Sequence, residues 1–368
     1  MDAMTPRERF VASLTFQPVD RCFVKSDSPM PRTRKRWEKE GLPEGVEPSV
    51  HLGMDAREYV KVYMECYPGF EERVISEDSE YVVKTNSEGI VLKQPKEDAL
   101  SVMPQFFDWP VKGRKDFERM KEQFLPSISG RYSADYDQKL DYWNNLCTNP
   151  VGYEFRGGFF HRLHMWMGLE GLCFAMFEDP DWVHEMVAFL EDWMFKVSEK
   201  VLSEVKLDFV YMCDDIAYKT ASLISPAHFR EFFFDAERRI IDRVRRAGIP
   251  VIIMDTDGNI DEFAAIYGEV GFNVTTPIEV AAGNDLIKLR KRFGRNLALQ
   301  GGFDKRVLAA GRKAIHAEVM RLYPRLMAEG GFIPGIDHQV PEDVSWDSYR
   351  YYVELTRQIS ENPGRYVK

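Results

Sequence analysis

The sequence predicts an α/β chain folded as a single (β/α)8 TIM barrel, with an N-terminal helical extension and a β-hairpin insertion at about residues 68–110. Three observations carry that prediction. The apolar runs FVYM and VIIM show no polar alternation, which is the pattern of parallel strands covered on both faces. From residue 150 onward, strand-like runs alternate with amphipathic helical stretches, as βα units do. With one strand near the N-terminus and one in the middle, about eight such units fit the chain. Residues 1–368 then form one domain. A doubly wound sheet is the competing arrangement, but no GxGxxG follows an early strand to support its dinucleotide-binding form.

The elements follow in order. TPRERFVASL offers Thr5 as N-cap, Pro6 at the first helical position and Glu8 close behind, a helix start. RCFVKSD (21–27) reads as a short buried strand, and RTRKRWEKEGL as a helix stopped near Gly41. EYVVKTNSEGIVLKQ places two β-rich runs around Asn86, Ser87, Glu88 and Gly89, a hairpin lying near the barrel mouth. KGRKDFERMKEQFL (112–125) returns to helix. PVGYEFRGG and LDFVYMCDD are strands, separated by helices that include a long one starting at Pro180. SPAHFREFFFDAERRIIDRVRRAG is a helix capped by Ser225 and stopped by Gly248. PVIIMDTDG, NVTTPIE, NLALQGG and FIPGID are the remaining strands, each followed by a helix.

Composition narrows the function. With 44% hydrophobic residues, the chain has ample material for a large core. A net charge of −10 leaves no basic excess to meet phosphates, which argues against a nucleic-acid partner. RTRKRW at 32–37 is a local basic cluster and reads as a solvated helix face. Cys22, Cys66, Cys147, Cys173 and Cys213 are scattered without a CxxC, as free thiols are in a reducing compartment. No apolar run approaches the roughly twenty residues of a membrane span, and MDAMTPRERF has no apolar signal-peptide core. The expectation is a cytoplasmic protein acting on a small molecule, with no membrane partner.

In a barrel of this kind, reactive groups sit at the C-terminal ends of the strands. That rule selects Cys213, Asp214 and Asp215, then Asp255 and Asp257, then Glu279, Gln300 and Asp304, and finally Asp337 and His338. Asp255 and Asp257 point the same way if the strand runs through both. Two such carboxylates repel and need a cation, a proton or a donor between them. Alternatively, Asp257 caps a helix starting near Asn259. His338 lies in GIDHQVPEDV, in a loop bounded by Gly335 and Pro341. Asp214, Asp215, Asp255, Asp257 and His338 are therefore the expected catalytic groups. Asp255, Asp257 and His338 form a candidate set for a divalent metal such as zinc. His161 and His164 share a helix face, a weak metal signal. Phe159, Phe160 and Trp166 lie near the presumed mouth. Phe159 and Phe160, with Glu279 and Gln300, are the expected substrate contacts, although aromatics at such positions are more often core.

Several segments resemble one family. TPRERFVASLTFQPVDR is similar to the opening of the uroporphyrinogen decarboxylase superfamily, which also contains corrinoid-dependent methyltransferases. ISPAHFREFFFDAERRIIDRVRRAGIPVIIMDTDGNI resembles its central segment, and GGFDKRVL and GGFIPGIDHQVPEDVSWDSYRYYVE its last two βα units. The resemblance implies one (β/α)8 barrel with the site in its mouth. True decarboxylases carry a W-x-M-R-Q-A-G-R-Y-type segment that holds substrate carboxylates, whereas this chain reads SPMPRTRKRW there. The methyltransferase branch carries H-x-C after the fifth strand and a late Cys, which bind zinc. Here those places hold Asp255-x-Asp257 and the DHQ around His338. The chain looks most like the decarboxylase-like branch near the corrinoid-linked O-demethylases. The resemblance implies methyl transfer from a methoxy or methylamine-type substrate, with a corrinoid on a carrier protein as partner. The alternatives are a lyase acting on a porphyrinogen or another carboxylic acid, and a barrel that binds a ligand or corrinoid without turning it over. A homodimer is a separate expectation, and the sequence does not fix the oligomeric state.

Overall fold

The structure is a computed structural model that describes residues 3–97, 99, 102–124 and 130–367. Its strands, in chain order, are β1 (Glu58–Val60), β2 (Arg73–Glu77), β3 (Tyr81–Thr85), β4 (Val91–Pro95), β5 (Gln105–Asp108) and β6 (Val151–Glu154). They continue with β7 (Phe209–Cys213), β8 (Val251–Asp255), β9 (Val274–Thr276), β10 (Ala298–Gln300) and β11 (Phe332–Ile333). The apolar runs that predicted buried strands form β7 and β8. These pair in parallel from Phe209 opposite Val251 to Cys213 opposite Asp255. The parallel sheet runs β1-β6-β7-β8-β9-β10-β11.

Residues 22–27 fill the eighth position between β11 and β1. The Cys22 thiol donates to the Phe332 carbonyl at 3.2 Å, and Lys25 bridges to Asp55 in parallel. The Ile336 N–H donates to the Asp27 carboxylate at 3.1 Å. The expected strand at RCFVKSD is thus in place, but side chains do much of its bonding. Arg21 and the Val24 N–H both bind Asp55, which ties this segment to the start of β1. With this segment the barrel is a (β/α)8 barrel.

Strand alternation sends every second side chain inward. Phe23, Phe209, Val251, Ile253, Val274 and Ile333 meet in the barrel interior. Phe10 and Leu14, from the N-terminal helix Pro6–Leu14, close its lower end. That helix starts as its sequence predicts, with Thr5 and Glu8 in a reciprocal capping box. Gly152 on β6 leaves room for the Phe209 ring, which a β-carbon there would overlap.

The insertion is larger than one hairpin. β2, β3, β4 and β5 form a four-stranded antiparallel sheet, with the expected turn at Asn86 and Gly89 joining β3 to β4. Gly89 adopts φ 81° there, a conformation that favours glycine. The helix expected at 112–125 spans Arg114–Gln123, and Leu125 lies outside the described residues. The basic cluster lies on the helix Pro31–Lys39. Arg34 pairs with Glu47, Arg36 pairs with Glu40, and Trp37 is buried against Trp346 and Tyr349. Among the described residues, no helix is long and apolar enough to cross a membrane.

Candidate active site

Alternation along β7 decides which acids reach the barrel mouth. Phe209 and Tyr211 face inward, and Cys213 continues that side into the cavity. Asp214 therefore turns outward, into the layer between sheet and helices, where it is fully buried. Its carboxylate accepts the His161 N–H at 2.8 Å. Asp215 returns to the cavity. On β8, Asp255 is in phase with Val251 and Ile253, and it too faces the cavity.

The cavity measures about 430 Å³ and lies at the C-terminal ends of the strands. Tyr211 donates to Asp255 Oδ2 at 2.6 Å. His338 Nε2 stands 3.4 Å from Asp257 Oδ2. Asp257 does not cap a helix, because the next helix is Ala264–Val270. Instead its N–H donates to Asp215 Oδ1 at 3.3 Å. Lys25 and Asp27 form an ion pair at 2.6 Å on the wall. Arg57 also lines the cavity, with its guanidinium over the Phe10 and Phe209 rings at 5.9 and 5.8 Å. Its Nη1 lies 3.5 Å from Gln300 Oε1.

Burial and crowding set the protonation of these groups. Burial pushes Asp255 up to about 7; the Tyr211 hydrogen bond opposes this, and the nearby Asp215 and Asp257 charges add to it. Burial also raises Asp215, helped by Asp257. His338 is raised chiefly by its hydrogen bond to Asp257, against the effect of burial. The Cys213 thiol is pushed well up by burial and by the Asp215 charge. Behind the wall, burial pushes Asp214 up to about 7, and it raises the adjoining, fully buried Glu237 well above the carboxylate range. A carboxyl left without a counter-charge in such a place keeps its proton.

The other expected residues divide. Gln300 lines the cavity and donates to Thr276 Oγ1 at 3.2 Å. Phe159 and Phe160 do not line it. They begin the helix Phe159–Glu178 and are fully buried in the core, because the helix turns them against the barrel. Glu279 accepts the Gly258 N–H at 3.1 Å and shapes the loop after β8 instead of lining the cavity. Asp304 caps the helix Lys305–Ala309. Asp337 is buried and ties two loops together by accepting from Val280 and Lys305. Asp255, Asp257 and His338 share the cavity, but Asp255 is turned to Tyr211. Among the described residues, one group of three potential ligands has its donor atoms within 4.8 Å of one another, and it is His161, Cys213 and Asp215. His164 does not join His161 there and packs on Phe160.

Sequence reading missed Tyr211, Arg57, Lys25 and Asp27. Tyr211 was findable, since it lies two residues from Cys213 on the same strand face. Arg57 carried no signal, because it reaches the cavity from the start of β1 through its long side chain.

Residues 156–359 match the family model for uroporphyrinogen decarboxylase (URO-D). The uroporphyrinogen decarboxylase of Nocardia farcinica is 29% identical over 189 residues, 50% of this chain and 51% of that protein. The enzyme of that name from Thermus thermophilus is 28% identical over 140 residues, 37% of this chain and 38% of that protein. The chain thus matches about half the length, or less, of these curated relatives. A methyltransferase from Methanosarcina mazei shares the fold across 97% of this chain and 99% of its own, with a TM-score of 0.59 at 14% identity.

Proposed function

The chain belongs to the uroporphyrinogen decarboxylase family, and on that premise we propose that it is a methyltransferase, taking a methyl group from a small methoxy or methylamine-type substrate for a corrinoid on a partner protein. Decarboxylases and methyltransferases both occur among its relatives by sequence and fold. The observation that supports methyl transfer is the charge of the cavity. Its wall carries Asp27, Asp215, Asp255 and Asp257 against Lys25, Arg57 and His338. Lys25 is paired with Asp27, and His338 with Asp257. Arg57 has no carboxylate partner among the described residues, which leaves one cation for a substrate. A polycarboxylate porphyrinogen needs several, and uncompensated carboxylates placed among these aspartates repel.

Methyl transfer makes a different demand. The methyl–heteroatom bond breaks with its electron pair going to the heteroatom, which then takes a proton. Asp255, held by burial near neutral, keeps that proton and delivers it. Tyr211 fixes its position. Asp257 and His338 orient the donor from the next loops, and both are partly exposed, so the mouth is open on that side. Arg57 holds one polar or anionic end of the donor at the cavity floor. The corrinoid, when its carrier docks over the mouth, supplies the nucleophile that accepts the methyl group.

Decarboxylation of a small monocarboxylic acid is the second reading. The activity named for the curated relatives favours it, as does Arg57, which has no carboxylate partner among the described residues. Anaerobic assays decide between the two. Cob(I)alamin consumption over a panel of methoxy and methylamine donors supports methyl transfer. Release of CO2 from small acids without cobalamin methylation supports the second reading. Activity in neither assay refutes both.

A further inference from the structure

His161, Cys213 and Asp215 come from two neighbouring βα units. The loop after β6 delivers His161 in the first turn of the helix Phe159–Glu178, and the end of β7 with the residues just after it delivers Cys213 and Asp215. The juncture is built tightly. The Gly158 N–H donates to the Cys213 carbonyl at 2.7 Å, and Asp214 accepts the His161 N–H. A β-carbon at Gly158 would stand 2.6 Å from the Asp214 carboxyl carbon, so glycine is what lets the helix start this close to β7. The imidazole is thereby fixed with Nδ1 3.8 Å from Asp215 Oδ2. That Nδ1 is buried and has no hydrogen-bond partner among the described residues. The potential ligand atoms of all three residues lie within 4.8 Å of one another. Ligand atoms around a tetrahedral zinc stand roughly 3.3–3.8 Å apart, so small side-chain rotations bring the three into range.

We infer that this protein binds a divalent ion of the zinc class through His161, Cys213 and Asp215, with a fourth position open to the cavity. One nitrogen, one sulfur and one oxygen select a borderline metal over magnesium or calcium. Three protein ligands with an open fourth place are the form of a catalytic site. The charges suit it. A dication with one thiolate and one carboxylate is neutral overall, which removes the repulsion between Asp215 and Asp257. Arg156 and Arg162 face His161 and oppose a cation there, so the thiolate and the Asp215 carboxylate must supply the compensating charge. The His161 Nδ1, buried and without a hydrogen-bond partner among the described residues, is the nitrogen available to the metal. On binding, the Cys213 thiol loses its proton to solvent, the sulfur pair forms the metal bond, and imidazole and carboxylate add their own pairs. The expected set of Asp255, Asp257 and His338 lies beside this position and does not supply it.

Metal binding is measurable without substrate, so its outcome stands apart from that of methyl transfer. Metal-free protein titrated with Co²⁺ is expected to bind one ion per chain and to show a thiolate-to-cobalt charge-transfer band. Zinc is expected to displace the cobalt. Cys213→Ser should abolish the band while the melting curve stays cooperative. His161→Ala should weaken binding by more than the roughly 10–100-fold that loss of a supporting residue costs. His338→Ala should keep the band. Wild-type protein that binds no cobalt, or binds it without a thiolate band, overturns the assignment. So does a band that survives Cys213→Ser or vanishes with His338→Ala.

Discussion

His338 and Asp257 face each other across the mouth of the barrel, with Nε2 3.4 Å from Oδ2. The two residues are far apart in sequence and come from the loops after β8 and β11. Closure of the barrel brings them together. The carboxylate raises the imidazole above its ordinary value. A group raised on folding stabilises the fold below its unfolded value and loses that effect as pH rises through its folded value. The pair thus stabilises the fold below the ordinary imidazole value, and that effect fades as pH rises through the raised titration of His338. Asp257→Asn is expected to lower the His338 pKa in an NMR titration. Because both groups are partly exposed, it should cost only roughly 0.2–1 kcal/mol at pH 6, with the cost gone at pH 9. An unchanged imidazole titration would show that the two residues do not interact.

Tyr211 tests the role given to Asp255. Its hydroxyl favours the ionised carboxylate, so Tyr211→Phe raises Asp255 further. A hydrogen bond to a charged group is worth about 1.5–3 kcal/mol, or one to two pH units. If Asp255 donates the proton, the alkaline limb of the kcat/KM profile moves up by about one unit in the variant. A limb that stays in place removes Asp255 from that role.

Asp214 and Glu237 make a prediction about stability alone. Both are fully buried and both are raised, Asp214 to about 7 and Glu237 well above its usual range. The native state holds protons that the unfolded chain releases above about pH 4. Stability therefore falls as pH rises from about 4 through 7 and beyond. Glu237→Gln removes one of the two acids and should flatten this fall, leaving the variant more stable than wild type at pH 8.5. Urea denaturation at pH 5 and pH 8.5 measures it, and parallel slopes for the two proteins would contradict it.

The barrel interior gives a steric test. A β-carbon on Gly152 would overlap the Phe209 ring, which Phe10 and Tyr59 also pack against. Gly152→Ala should cost about 2 kcal/mol or more, since overpacking a filled core forces side chains off their preferred rotamers. Urea denaturation reads this as a lower midpoint, and an unchanged midpoint would mean that the interior has room for the added methyl group.

Much of this was legible in the sequence. FVYM and VIIM announced β7 and β8 because a strand covered on both faces has no polar side to display. The strand-end rule then found Asp215, Asp255, Asp257, Gln300 and His338, all of which line one cavity. It also chose Asp214, whose placement follows from strand period. One residue's shift sends a side chain to the opposite face, and a rule that counts strand ends does not see the phase. Phe159 and Phe160 were misplaced for a related reason, as the helix Phe159–Glu178 turns both into the core. The convergence of His161 with Cys213 and Asp215 was not visible, because the nearby His164 suggested a partner on the same helix. The bonds that close the barrel at residues 22–27 were hidden as well, since they run through the side chains of Cys22, Asp27 and Asp55.

The most direct measurement follows an isotopically labelled methyl group from a methoxy or methylamine donor under anaerobic, reducing conditions. The account predicts that wild-type protein moves the label into cob(I)alamin with one demethylated product per methyl transferred, and that Asp255→Asn slows the transfer by about 10²-fold or more. Label that stays in every donor, while a carboxyl-labelled acid releases CO2, would contradict it.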